Sequence, residues 1–396
     1  MGLQIAPMRL GVNPRKVGIL RAAGFVVEKD GSQVSATLQG ILPDREIGAL
    51  FAAGAIAAPR ERDDDQIQPA SLDLRLGPVA YRVRASFLPG SAHSVVDKLE
   101  RFALHEFSLA GGAVLETGCV YVVPLLESLA LPEHVRATAN PKSSTGRLDI
   151  FTRVIADNTQ EFDKVPAGYR GPLYLEISPR TFPILVREGS RLSQIRFRSG
   201  EPTLSASELT ALHARAQLTS AETANISGAG IALSIDLSGS TGSLVGYRGK
   251  RHTGLIDVDR RAAYPLADYW EPIHRRGAGE LVLDPDEFYI LVSKEAVHVP
   301  PDHAAEMTPF DPLVGEFRVH YAGFFDPGFG HSAAGGAGSR AVLEVRSHDV
   351  PFILEDGQTV GRLVYERMAS IPERLYGTDL SSNYQAQGLK LSKHFV

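Results

Sequence analysis

The 396-residue chain has one cysteine, Cys119. A single thiol cannot close an intrachain disulfide, so a reducing, cytoplasmic setting is expected. The N-terminus lacks a long apolar stretch, and no run approaches the ~20 apolar residues that cross a bilayer. Neither a signal peptide nor a membrane span is read. Neither sign of charge is in large excess: 41 Lys and Arg against 46 Asp and Glu leave a net charge of −5. That balance argues against a broad nucleic-acid surface, so any phosphate binding must be local. What the chain does have is 38 Gly and 25 Pro between short β-branched runs, which favours many strands and turns over long helices. Its length suits two domains or more.

Chemistry concentrates between Ala139 and Ile177. A Ser143-Ser-Thr-Gly146 loop flanked by Lys142 and Arg147 offers hydroxyls, close backbone N–H groups and two cations, which suits a polyphosphate. Glu176 sits in an apolar run, Leu173-Tyr-Leu-Glu-Ile177; a carboxylate there is either paired or raised in pKa, and either state can serve acid–base chemistry. Leu42 to Ile56 reads as a short helix with Pro43 in its first turn, and Ser205 to Ala216 as another. Gln68 to Gly77 alternates, with Leu72, Leu74 and Leu76 on one face and Asp73 and Arg75 on an exposed one. Asp63-Asp-Asp65 reads as a solvated loop. Ala80 to Pro132 reads as successive strands.

The chain repeats itself. Val120-Tyr-Val-Val with Glu127 and Pro132 matches Phe288-Tyr-Ile-Leu with Glu295 and Pro300, each pair 168 residues apart. Leu175-Glu-Ile177 matches Leu343-Glu-Val345, and the runs starting at Phe182 and Leu192 match those starting at Val350 and Val360 in the same register. This is a tandem duplication of a β domain. Past Pro300 a one-residue slip aligns His134 with His303 and Gly146 with Gly315, setting Pro312, Leu313 and Glu316 opposite Ser143, Ser144 and Arg147. The second copy thus lacks the phosphate loop, but it carries the turn Asp326-Pro-Gly-Phe-Gly330, which the first copy replaces with a different stretch after Asp157.

These motifs resemble the dCTP deaminase branch of the dUTPase-like superfamily: Ala70-Ser-Leu-Asp-Leu-Arg-Leu-Gly77, Ser143-Ser-Thr-Gly-Arg147, the Asp326 hairpin, the Leu-Glu pairs ending at Glu176 and Glu344, and a tail with Tyr376, Asn383 and Gln387. The resemblance implies a mainly β fold of tandem dUTPase-like distorted jelly-roll or β-barrel domains with a few short helices. The expected layout is an N-terminal extension over 1–41, a first domain over 42–200, a linker over 201–227, a second domain over 228–370, and a tail over 371–396 that closes on the nucleotide. It implies hydrolysis of dCTP to dUTP and ammonia, Mg²⁺ carried on the triphosphate, dTTP as a candidate inhibitor, and a homo-oligomer. Zinc is not expected, since zinc deaminases need a Cys-x-x-Cys that one cysteine cannot supply.

By the same likeness a glutamate is the acid–base group, Ser143 and Arg147 hold the water, and Lys142, Ser144, Tyr376 and Gln387 take the phosphates. Phe329 lies under the sugar, and Asp326 or Asp157 takes the 3′-hydroxyl. A family lysine is replaced by Asn383. In this superfamily loop and hairpin come from different subunits, so a first-copy loop pairing with a second-copy hairpin favours Glu344 as the base; Glu176 is the alternative. A dUTPase or a bifunctional enzyme is the competing activity, and an inactive nucleotide-binding protein the non-enzyme reading.

Overall fold

The structure, a computed structural model, describes residues 39–228, 230–239, 242–309, 317–319, 323–347, 349–377 and 388–396. The described residues pack as one compact unit. In the first half, one sheet runs in the order Lys164–Val165, Val135–Pro141, Ser193–Ser199, Ser71–Leu74, Ile67–Gln68, with Gly40–Ile41 also paired to Ser193–Ser199. A second sheet runs Ile150–Ala156, Arg170–Pro179, Val120–Ala130, Val79–Val83, Ala103–Ser108, with Ile56–Ala57 also paired to Val120–Ala130. Leu72, Ala139 and Ile195 of one sheet share a core with Val123, Val154 and Leu175 of the other. Two sheets that each bury one face this way form the sandwich that alternating sequences favour.

The second half repeats the plan. One sheet runs Ile226–Ser227, Gly230–Ser234, Thr359–Arg367, His303–Pro309, Phe324–Phe325; the other runs Trp270–His274, Leu244–Gly249, Phe288–Val297, Ser339–Ser347, Phe317–Val319. Their shared core contains Leu233, Met307 and Leu363 from one and Leu291, Leu343 and Val345 from the other. The duplication shows in the pairing itself. Glu176 lies opposite Val122 as Glu344 lies opposite Ile290, and Ser193 opposite Pro141 as Gly361 opposite Pro309. The 168-residue offset thus persists through Pro309, so the slip expected just past Pro300 is absent from this strand. Pro312, Leu313 and Glu316, which the sequence reading set opposite Ser143, Ser144 and Arg147, lie outside the described residues.

The two halves share core residues and a strand pair rather than being strung on a tether. Trp270 and Phe288 of the second half join the first core, and Phe182 meets Trp270 edge to face at 5.4 Å, a packing worth about 1 kcal/mol beyond its buried area. Ile184–Val186 pairs in parallel with Ile256–Asp257 across the halves. The expected linker is not slack either. It holds the helix Ala206–Ala216, with a capping box between Ser205 and Glu208, and Leu209 and Leu212 enter the second core.

Two local expectations fail. A helix, Val95–Phe102, interrupts the stretch read as strands, and its signal was a second capping box, Ser94 with Asp97. Asp73 and Arg75 are buried, not exposed. A sheet covered on both sides hides charges only if they are paired, and Arg75 meets that demand with Glu127 at 2.7 Å. The helix Asp44–Ala52 forms as expected. Among the described residues no helix is long and apolar enough to cross a membrane.

Candidate active site

The strand Val135–Pro141 ends in Lys142 and a four-residue helical turn, Ser143–Gly146, which delivers Arg147. The Lys142 amide donates to Leu192 O at 3.0 Å, and Thr145 and Gly146 donate back to Lys142 O at 2.8 and 3.0 Å, so the loop is held from both sides. Arg147 is buried; Nη1 donates to Lys390 O at 2.9 Å, and Nε lies 3.8 Å from Glu344 Oε1. Loop and glutamate belong to different halves of the chain.

Glu344 stands on Ser339–Ser347, flanked by Phe288–Val297 and Phe317–Val319. Alternation along the strand puts Val342, Glu344 and Arg346 on one face. Burial raises the Glu344 carboxyl from 4.5 to about 7, against the lowering influence of Arg147. Two residues on, Arg346 pairs with buried Asp149, which also accepts from Thr181 Oγ1 at 2.6 Å. Arg147 with Glu344 and Asp149 with Arg346 are therefore two rungs joining the loop exit to the glutamate strand.

The Asp326 hairpin closes another side. Gly328 has φ +96°, and an added Cβ would sit 3.0 Å from Leu375 Cβ and 3.1 Å from Tyr376 N; the turn therefore needs glycine. Phe329 packs edge to face on Phe325 at 5.0 Å and lies 5.7 Å from Tyr376. Asp326 is held by Arg196 at 3.0 Å, from the first half. Burial pushes the Asp326 carboxyl up and Arg196 pulls it down. Arg196 also donates to Ala305 O at 3.1 Å and lies 4.0 Å over the Phe324 ring.

These parts enclose a cavity of about 430 Å³, within the range of small-molecule sites. Of the residues expected at a site, Lys142, Ser143, Ser144, Arg147, Asp326, Phe329, Glu344 and Tyr376 line it together. Glu176 and Asp157 do not. Glu176 Oε1 accepts from Arg153 at 3.0 and 2.6 Å, and that guanidinium lies 3.5 Å over Phe162. Asp157 accepts from the Val95 amide at 2.7 Å, at the start of the helix that sequence reading missed. Gln387 and Asn383 lie outside the described residues. Unforeseen at the cavity are Asp65, Asp73, Arg191, Arg261 and Lys393. Asp73 pairs with Lys142 and lies 3.5 Å from Arg191, which also binds Asp63 and Asp65 at 2.6 and 2.8 Å. Its place in the Ala70-x-x-Asp73 motif was the only advance signal.

Comparison with known proteins covers nearly the whole described chain. Residues 38–201 match the family model for the 2′-deoxycytidine 5′-triphosphate deaminase N-terminal domain, and residues 205–395 match that for its C-terminal domain. A crystal structure of 2′-deoxycytidine 5′-triphosphate deaminase from Agrobacterium tumefaciens is 67% identical, with a TM-score of 0.80, covering 85% of this chain and 100% of that one. A dCTP deaminase of Haloarcula marismortui is 31% identical over 163 residues, 40% of this chain and 79% of that protein. A dUMP-forming dCTP deaminase of Parafrankia sp. is 33% identical over 168 residues, 41% of this chain and 78% of that protein.

Proposed function

The chain belongs to the dCTP deaminase family, and on that basis we propose that its cavity hydrolyses dCTP to dUTP and ammonia with Glu344 as the acid–base group. The observation that carries this reading is the buried Glu344 carboxyl, raised to about 7 beside Arg147 and the Ser143 loop. A group titrating near neutrality can both take and return a proton.

In this reading Ser143 and Arg147 hold a water against C4 of cytosine. Ionised Glu344 takes a proton from it, and the new hydroxide bonds to C4 while the ring π electrons move to N3. The protonated carboxyl delivers its proton to N3. It then moves a second proton from the C4 hydroxyl to the amino group, the C4–N bond breaks, and ammonia leaves. One water is consumed and the glutamate ends as it began. Arg147 favours the ionised carboxylate while burial favours the acid, so the two forms lie close in free energy.

The same reading gives the sugar to Phe329, whose ring would crowd a 2′-hydroxyl, and the 3′-hydroxyl to Asp326. Lys142, Ser144 and Tyr376 take the phosphates, with Gln387 from the tail. Among the described residues no three His, Cys, Asp or Glu converge as a metal cage. The family likeness assigns Mg²⁺ to the phosphates, which would supply oxygen ligands together with water, and the chain would supply the cations and hydroxyls that place that substrate. Relatives described as dUMP-forming give a second reading some weight, in which dUTP is hydrolysed further. Chromatography of dCTP incubated with enzyme and Mg²⁺ separates the two: dUTP with ammonia supports deamination alone, whereas dUMP with pyrophosphate adds the second step. Failure to release ammonia from dCTP overturns both.

A further inference from the structure

One buried arginine from the first half holds the Asp326 hairpin of the second. Arg196, on the strand Ser193–Ser199, is wholly buried. Its Nε donates to Ala70 O at 3.3 Å and its Nη1 to Ala305 O at 3.1 Å, while Nη2 donates to Asp326 Oδ1 at 3.0 Å and reaches Phe325 O at 3.5 Å. The guanidinium lies 4.0 Å over the Phe324 ring. A planar fork held by carbonyls of three segments has one orientation, which a lysine does not reproduce. Only Oδ1 of Asp326 is taken. Among the described residues no other group donates to that carboxylate, and Asp326 lines the cavity, so Oδ2 is left for a donor from the cavity.

The duplication supplies an internal comparison. Arg196 lies opposite Thr138 as Val364 lies opposite Glu306, so a valine stands at the arginine's place in the second copy. Leu131 N–H donates to Tyr169 O as Val299 N–H donates to Phe329 O, both at 2.9 Å. That matches Tyr169 to Phe329 and, three residues earlier, Pro166 to Asp326. Both members of the pair are therefore missing from the equivalent positions, and the fold alone does not require them. Two buried charges are tolerable only together. Burial favours the neutral Asp326 carboxyl and Arg196 opposes it, which keeps the group an acceptor.

We propose that Arg196 is a positioning residue for sugar recognition: it fixes the Asp326 carboxylate so that Oδ2 accepts from the 3′-hydroxyl of the nucleotide. The inference rests on the deaminase reading, with Asp326 at the sugar, and deepens it. The test compares dCTP with its 2′,3′-dideoxy analogue, ddCTP, which lacks only that hydroxyl. Ammonia release with Mg²⁺ gives kcat/KM for wild type, Arg196→Met and Arg196→Lys, and calorimetry of the same three on the Glu344→Gln background gives Kd. Wild type should favour dCTP roughly tenfold, the worth of one charged hydrogen bond. In Arg196→Met the ratio should fall to within twofold of unity. Arg196→Lys keeps the buried charge, and with it the fold, but lacks the fork, so its ratio should lie between. If Arg196 served only the fold, both nucleotides would lose equally and the ratio would not move. A full wild-type ratio in either variant therefore overturns the proposal. A wild type indifferent to the 3′-hydroxyl overturns it too, and removes Asp326 from the sugar while deamination stands. If no ammonia is released from dCTP, a Kd ratio lost in the variants still upholds Arg196 and rejects only the deamination.

Discussion

Replacing Glu344 with Gln should make the protein more stable and inactive at once. The glutamate is buried and its carboxyl titrates near 7 in the folded chain against an ordinary 4.5. Below pH 4.5 both folded and unfolded chains hold the proton, and the site costs nothing. Between 4.5 and 7 the unfolded chain releases the proton while the folded chain keeps it, so stability falls as pH rises. Above 7 both are ionised and the whole penalty is present. At about 1.36 kcal/mol per unit this amounts to roughly 3 kcal/mol at pH 8 and less than about 1 kcal/mol at pH 5. Glutamine keeps the shape and cannot ionise, so Glu344→Gln should unfold a few °C higher than wild type at pH 8. The gap should close towards pH 5. Turnover of dCTP should drop by roughly 10²–10⁴-fold, and wild-type kcat/KM should fall about tenfold per unit below pH 7, where the base is lost. Thermal unfolding across pH 5–8 and ammonia release from both proteins are the assays. A variant no more stable than wild type at pH 8, or a gap independent of pH, refutes the desolvated carboxylate. A variant that still turns over within tenfold of wild type refutes its role.

The twin residue should behave in the opposite way. Glu176→Gln leaves Arg153 with a weakened partner and should cost about 1–3 kcal/mol of stability, yet turnover should stay within a few-fold; a dead but well-folded variant would move the chemistry to the first half. Arg147→Ala should abolish turnover, because it removes the cation 3.8 Å from Glu344; near-normal rates in purified protein would sink that role. Arg346→Met should lower kcat with little change in KM, since it removes the second rung between loop and glutamate strand; an unchanged kcat would mean that the rung is dispensable. Dialysis against a zinc-selective chelator, followed by Mg²⁺, should leave ammonia release intact, and loss reversed only by zinc would contradict the proposed chemistry.

Much was legible in the chain because it depends on short-range pattern. The duplicated β architecture follows from a constant offset and two-residue alternation, both local properties of strands. The phosphate loop, the Asp326 turn and the two candidate glutamates were recognisable because adjacent residues build each of them. Local reading failed where a second element changed the surroundings. Asp73 and Arg75 alternate like solvent-facing charges, but both sides of their strand are covered, and ion partners from distant segments make that burial tolerable. The sequence favoured Glu344 over Glu176 only through the complementary losses in the two copies, since both stand in the same motif and the same register. Arg153, opposite Glu176 across the sheet, occupies its carboxylate, while the packing of one half on the other sets Glu344 beside Arg147 in a desolvated cavity. Lys393 carries no motif; its position comes from the C-terminal segment pairing with Ala262 to Leu266 and bonding to Ser144. Burial and long-range contact are properties of the folded chain, and it is these that separate two equivalent glutamates into an ion-paired residue and a carboxyl poised near neutrality.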